Sequence, residues 1–161
     1  MQIIITLHRN RSLPGELFLI DGETRLLVCR CLGKADSLSA AEAGNPTRDP
    51  FRRYGDTPTG KYQGSVDPPR VPAQGPERAK WLRSYGQWPT IRLEPIAGDA
   101  LTAKNNGRRG LLIHGGTADK VGNLRPTNGC IRVDNVSQLS LVELLQKQKP
   151  LNLSIEITEA S

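Results

Sequence analysis

Apolar and polar residues alternate in short runs along much of this chain, a two-residue period that suits strands with one buried face. Residues 2–7, 16–20 and 25–31 are such runs, separated by Leu13-Pro14-Gly15 and by Asp21-Gly22-Glu23. Turn residues between β-branched runs predict an antiparallel meander, with Asp21-Gly22 as a tight hairpin. Further strands are expected over Lys61–Val66, Thr90–Leu93, Leu111–His114 and Cys130–Val133, and the spacing of Leu151, Leu153, Ile155 and Ile157 predicts a closing strand. Helical patterns are few. One short helix is expected around Leu38–Ala43 and another over Pro76–Arg83, where Pro suits the first turn. A third runs from Val136 to Gln148, capped by Asp134 or Asn135, with Val136, Leu139, Val142 and Leu145 on its apolar side. Gly33–Tyr54 is polar and reads as a long surface loop of the kind that serves as a lid. Trp81, Tyr85 and Trp88 are expected to pack the second helix and its flanks onto the sheet, with a groove-lining role as the alternative. The fold class implied is mainly β, a sandwich of mixed β-sheets with a few short helices.

At 161 residues the chain suits a single domain over 1–161, large enough to build its own core. Three cysteines are too few for a disulfide scaffold, and Cys29 and Cys31 read as ordinary buried or half-buried strand residues. No Cys/His spacing suggests zinc. The net charge of +6 favours acidic partners. The basic residues are scattered, with Arg52-Arg53 and Arg108-Arg109 the adjacent pairs, and no stripe of basic and aromatic residues marks a nucleic-acid surface. Most of the charge therefore reads as solvated surface. No apolar run is long enough to span a membrane, and the start of the chain lacks the basic leader of a signal peptide, so it reads as the first strand.

Chemistry concentrates in two segments. Leu111-Leu112-Ile113-His114-Gly115-Gly116 is an apolar run ending in His, and Thr127-Asn128-Gly129-Cys130-Ile131-Arg132 is a Gly-Cys turn opening a second run. Two adjacent short strands would set imidazole and thiol side by side. An imidazole removes the thiol proton and makes the sulfur nucleophilic, the layout of a cysteine acyl-transfer site. Gly129 permits a sharp turn that aims backbone N–H groups at a developing oxyanion, and Gly115 clears space behind His114. Arg132, two residues beyond Cys130, should share its face and either favour the thiolate or hold a substrate carboxylate.

These residues carry a resemblance to a known family. His114-Gly115, followed by Thr127-Asn128-Gly129-Cys130-Ile131-Arg132, resembles the signature of the L,D-transpeptidase catalytic domain, the YkuD family. Upstream, Asp56-Thr57-Pro58-Thr59-Gly60-Lys61-Tyr62 is similar to the Thr-Pro-x-Gly segment that leads into a strand of that domain. The resemblance implies that Cys130 attacks the third residue of a peptidoglycan stem peptide, releasing the terminal D-amino acid and leaving a thioester. An amine acceptor then gives a cross-link, and water gives L,D-carboxypeptidase activity. It implies His114 as the acid–base partner and Thr127, Asn128, Gly129, Arg132 and Gly115 as oxyanion or peptide-binding residues. It also implies no metal or other cofactor, and a place in the periplasm or cell wall. The position before Gly-Cys, often His in the family, is Asn128 here, which hydrogen-bonds but carries no proton at neutral pH. A catalytically impaired peptidoglycan-binding module and an exported antibacterial effector with the same chemistry stand as the alternatives.

Overall fold

The computed structural model describes all 161 residues. Eight strands form one mixed sheet: β1 (Gln2–Leu7), β2 (Gly15–Asp21), β3 (Thr24–Cys31), β4 (Gly60–Asp67), β5 (Thr90–Ala97), β6 (Leu112–His114), β7 (Ile131–Arg132) and β8 (Leu153–Glu159). Their spatial order is β3-β2-β1-β8-β4-β5-β6-β7. The pairs β1–β8 and β6–β7 are parallel and the others antiparallel. The predicted meander is β1-β2-β3, with Gly22 in the left-handed region at its hairpin. Four helices complete the chain: α1 (Ser37–Glu42), α2 (Arg78–Tyr85), α3 (Asp99–Asn105) and α4 (Asn135–Gln148). The mainly β class with mixed pairing and a few helices is therefore what the chain adopts.

Strand alternation builds the core. Ile3, Ile5 and Leu7 of β1, Leu17 and Leu19 of β2, and Leu153, Ile155 and Ile157 of β8 all point inward and are buried. Leu141 and Leu145 of α4 join the same cluster as Tyr62, Leu93, Ile113 and Ile131. The buried side of α4 is Gln138, Leu141, Val142 and Leu145, whereas Val136 is exposed, so the apolar side expected from the sequence is rotated. The cause is a buried amide: Gln138 Nε2 faces the carbonyls of Tyr85, Trp88 and Pro89 at 3.1–3.2 Å and turns its side of the helix inward.

Two elements depart from the sequence pattern. β5 continues past Leu93 through Pro95, because the β4–β5 register shifts at Lys61/Tyr62, and an irregularity of this kind accommodates a residue without an N–H. The unexpected α3 buries little more than Ala100 and Ala103, too few apolar positions to show a helical period.

The two ends of the sheet meet. Leu32, just after β3, exchanges backbone hydrogen bonds with Arg132 of β7, both at 2.9 Å. Ala35 bridges Thr127, where the Asp36 N–H donates to the Thr127 carbonyl at 2.7 Å. This seam curls the sheet into a nearly closed, barrel-like form, and it carries both Thr127 and Arg132.

Candidate active site

Parallel pairing of β6 with β7 sets Ile113 beside Ile131 and His114 beside Arg132. Cys130 immediately precedes β7 rather than starting it. One register step back lies Leu112, whose backbone N–H hydrogen-bonds the thiol. The thiol itself faces the Gly110 carbonyl at 3.7 Å.

The turn before the thiol is fixed from several directions. Thr127 Oγ1 accepts from the Gly129 N–H at 3.0 Å and donates to the Cys130 carbonyl at 2.9 Å. Thr57 Oγ1, from the Thr-Pro-Thr-Gly segment, donates to the Gly129 carbonyl at 2.7 Å. Gly129 has a φ of +116°, and a Cβ there would strike the Arg108 guanidinium and the Gly55 carbonyl, so no other residue fits. Arg108 is buried and donates to the carbonyls of Pro50, Arg52, Gly55 and Asp56, holding that loop against the turn.

His114 is 2% exposed and hydrogen-bonds through Nδ1 to the Gly115 carbonyl at 2.8 Å. A carbonyl only accepts, so Nδ1 carries the proton and Nε2 holds a free lone pair. Arg132 Nη1 donates to the same carbonyl at 2.6 Å and to that of Ser84 at 3.1 Å. Its Nε and Nη2 bind the carbonyls of Arg125 and Pro126 at 2.7 and 3.4 Å. With four of five N–H donors spent on backbone, Arg132 retains no pair with which to clasp a substrate carboxylate; it positions the Gly115 carbonyl and supplies a fixed charge. Gly115 is needed here too: a Cβ would collide with Gln138 and Asn135 of α4.

Burial dominates the electrostatics. It pushes the Cys130 thiol above its ordinary range, against the hydrogen bond from Leu112 and the charges of Arg108, Arg132 and Arg70. It lowers His114 to about 3, helped by the adjacent Arg132 charge. Arg132 falls to about 10 for the same reason and stays cationic at neutral pH. The resting pair is thus a neutral thiol and a neutral imidazole. Proton transfer must accompany attack.

His114 and Cys130 open onto one cleft of about 600 Å³, which Thr127, Asn128 and Arg132 also line. Asn128 is exposed there and free of side-chain bonds to the protein. Tyr85 stands against His114 with ring centroids 4.7 Å apart, and Trp81 stacks on Tyr85 at 5.3 Å. Both aromatic residues line the cleft. Their spacing of one helical turn on α2 was the available signal. Asp36 and Ser39 at the start of α1 also line this cleft, which brings part of the segment after β3 to it. Thr59 and Gly60 instead line a separate polar cavity of about 820 Å³ that contains neither His114 nor Cys130. All three cysteines are free, and no three His, Cys, Asp or Glu side chains are grouped so as to hold a metal ion. No helix is long and apolar enough to cross a membrane. No protein-family model matches the chain, and no curated protein matches it.

Proposed function

We propose that this chain is a cysteine acyltransferase of the L,D-transpeptidase type, its curled sheet corresponding to the sandwich of that family, acting on peptidoglycan stem peptides outside the cytoplasm. The observation that carries this reading is the Nδ1 contact of His114 with Gly115, which leaves Nε2 unprotonated in the cleft that Cys130 also lines. An imidazole held in that tautomer is a general base for a thiol.

In the proposed reaction Nε2 takes the thiol proton as sulfur attacks the carbonyl carbon of the third stem residue. The Cys130 N–H donates to no acceptor within the protein and is the candidate oxyanion donor, since the Gly129 N–H is spent on Thr127. Collapse of the tetrahedral adduct breaks the C–N bond, and His114 returns the proton to the departing amine. The thioester then acylates an amine or water, whose proton passes to Nε2 while sulfur leaves and is reprotonated. With a neutral resting pair the imidazolium exists only between attack by sulfur and departure of the amine, to which it gives its proton.

Cys130→Ala should abolish release of the terminal D-amino acid and cross-link formation from a disaccharide-tetrapeptide, while leaving the far-ultraviolet circular dichroism spectrum unchanged. Turnover retained by that variant, followed by mass analysis of the muropeptides, overturns the mechanism. A carbapenem adduct on Cys130 separates the enzyme from an inert peptidoglycan-binding module.

A further inference from the structure

Cys130 has a second neighbouring recess. Behind the thiol, the segment Gly110–Leu112 walls a recess of about 250 Å³ whose charged lining is Arg70, Arg92, Lys104, Arg108, Arg109 and a single carboxylate, Glu94. The Gly110 carbonyl and the Leu112 N–H that touch the sulfur belong to this wall, so the thiol stands at the partition between the recess and the His114 cleft. Three of the cations have partners: Arg92 pairs with Asp67, Lys104 with Glu94, and Arg108 with backbone carbonyls. Arg70 and Arg109 are exposed, and no carboxylate lies within ion-pair range of either. The field of these cations reaches the site, since Arg70 acts on Cys130, His114 and Tyr85 alike.

Proton traffic decides which part of a substrate belongs in each space. Both the departing amine and the incoming nucleophile exchange a proton with His114, so both occupy its cleft. The acyl portion that remains on sulfur exchanges no proton with His114 and is the part left for the recess, whose wall touches the thiol at Gly110. Resting on the acyl-transfer reading above, the geometry points to an anion subsite in which Arg70 and Arg109 hold a carboxylate of the acyl-donor peptide. Unpaired guanidinium groups form strong, directional bonds to carboxylates and keep the charge of a retained acyl group from drifting back toward the leaving-group cleft.

The test uses two tetrapeptide donors of the same backbone, one with the carboxylates of its second and third residues free and one with both amidated. Wild type should prefer the free-acid donor. Arg70→Gln/Arg109→Gln should lower kcat/KM for that donor about tenfold, mainly through KM, and leave the amidated donor within about twofold. Equal losses on both donors, or none on either, overturn the subsite. A second measurement does not depend on turnover: the ratio of Cys130 alkylation rates with iodoacetate and iodoacetamide. Both reagents need the same thiolate, so their ratio isolates attraction of the anion. The double variant should lower this ratio about threefold or more at low salt. If neither donor is turned over while the ratio falls, the acyl-transfer reading fails and the recess remains an anion site; an unchanged ratio removes the recess itself.

Discussion

His114 couples the site to the stability of the fold. Its pKa falls from about 6.5 in the unfolded chain to about 3 in the folded protein, because burial and the Arg132 charge disfavour the imidazolium. The unfolded state therefore binds a proton that the native state refuses between those values. Stability from this group is complete above pH 6.5 and is lost as pH falls toward 3, at up to about 1.4 kcal/mol per pH unit. His114→Gln should flatten that part of the acid limb in denaturant melts; identical slopes for the two proteins refute the assignment. At the same scale, the names of the central residues were legible in the sequence. A His before Gly-Gly and a Cys after Asn-Gly stand out because strand ends and glycine turns are the positions where side chains reach a cleft. The protonation states were not legible, since they follow from burial. Nor were the roles of Arg108 and Arg132: nothing in Arg108-Arg109 tells which of the pair turns inward to collect four carbonyls and which stays in solvent.

Elements differ in how openly their packing is written. The strands β1, β2 and β8 announce themselves by alternation because each buries every second residue against one core, whereas β3 buries only Cys31. β5 is harder, since Pro95 reads as a stop until the shifted β4 register accommodates it. α2 and α4 carry the more consequential lesson. Gln138 looks like a solvent-facing position by polarity, yet its amide holds the segment from Tyr85 to Pro89, and Tyr85 abuts His114. Gln138→Leu removes the donor to the Trp88 and Pro89 carbonyls, whereas that of Tyr85 keeps the Gly115 N–H. It should cost about 1–3 kcal/mol in a urea melt and reduce turnover by loosening Tyr85. A variant as stable as wild type would mean that the 85–89 segment is held by other contacts. Polar residues that serve buried backbone have no periodicity, which is why no reading of the helix alone finds this one.

Over the whole molecule, pairing between distant strands is what the sequence leaves unwritten. Eight strand-like segments are visible, but the meeting of Leu32 with Arg132 is a consequence of twist accumulated across the sheet. That seam should behave as core rather than edge. In native-state hydrogen exchange, the amides of Leu32 and Arg132 should be protected to nearly the same extent as those of β1 and β8; rapid exchange at both would show an open sheet. The central position of β8 has a further outcome. Segment 153–159, last of these strands to be translated, lies between β1 and β4 and is the one full strand joining the amino-terminal meander to the half that bears the thiol, the seam at Leu32 and Arg132 being made of isolated bridges. Until it leaves the ribosome, two part-sheets wait with bare flanks, and shortening the chain there leaves the three-stranded meander tied to the nucleophile's half through the Leu32–Arg132 seam, without altering a single residue of the cleft.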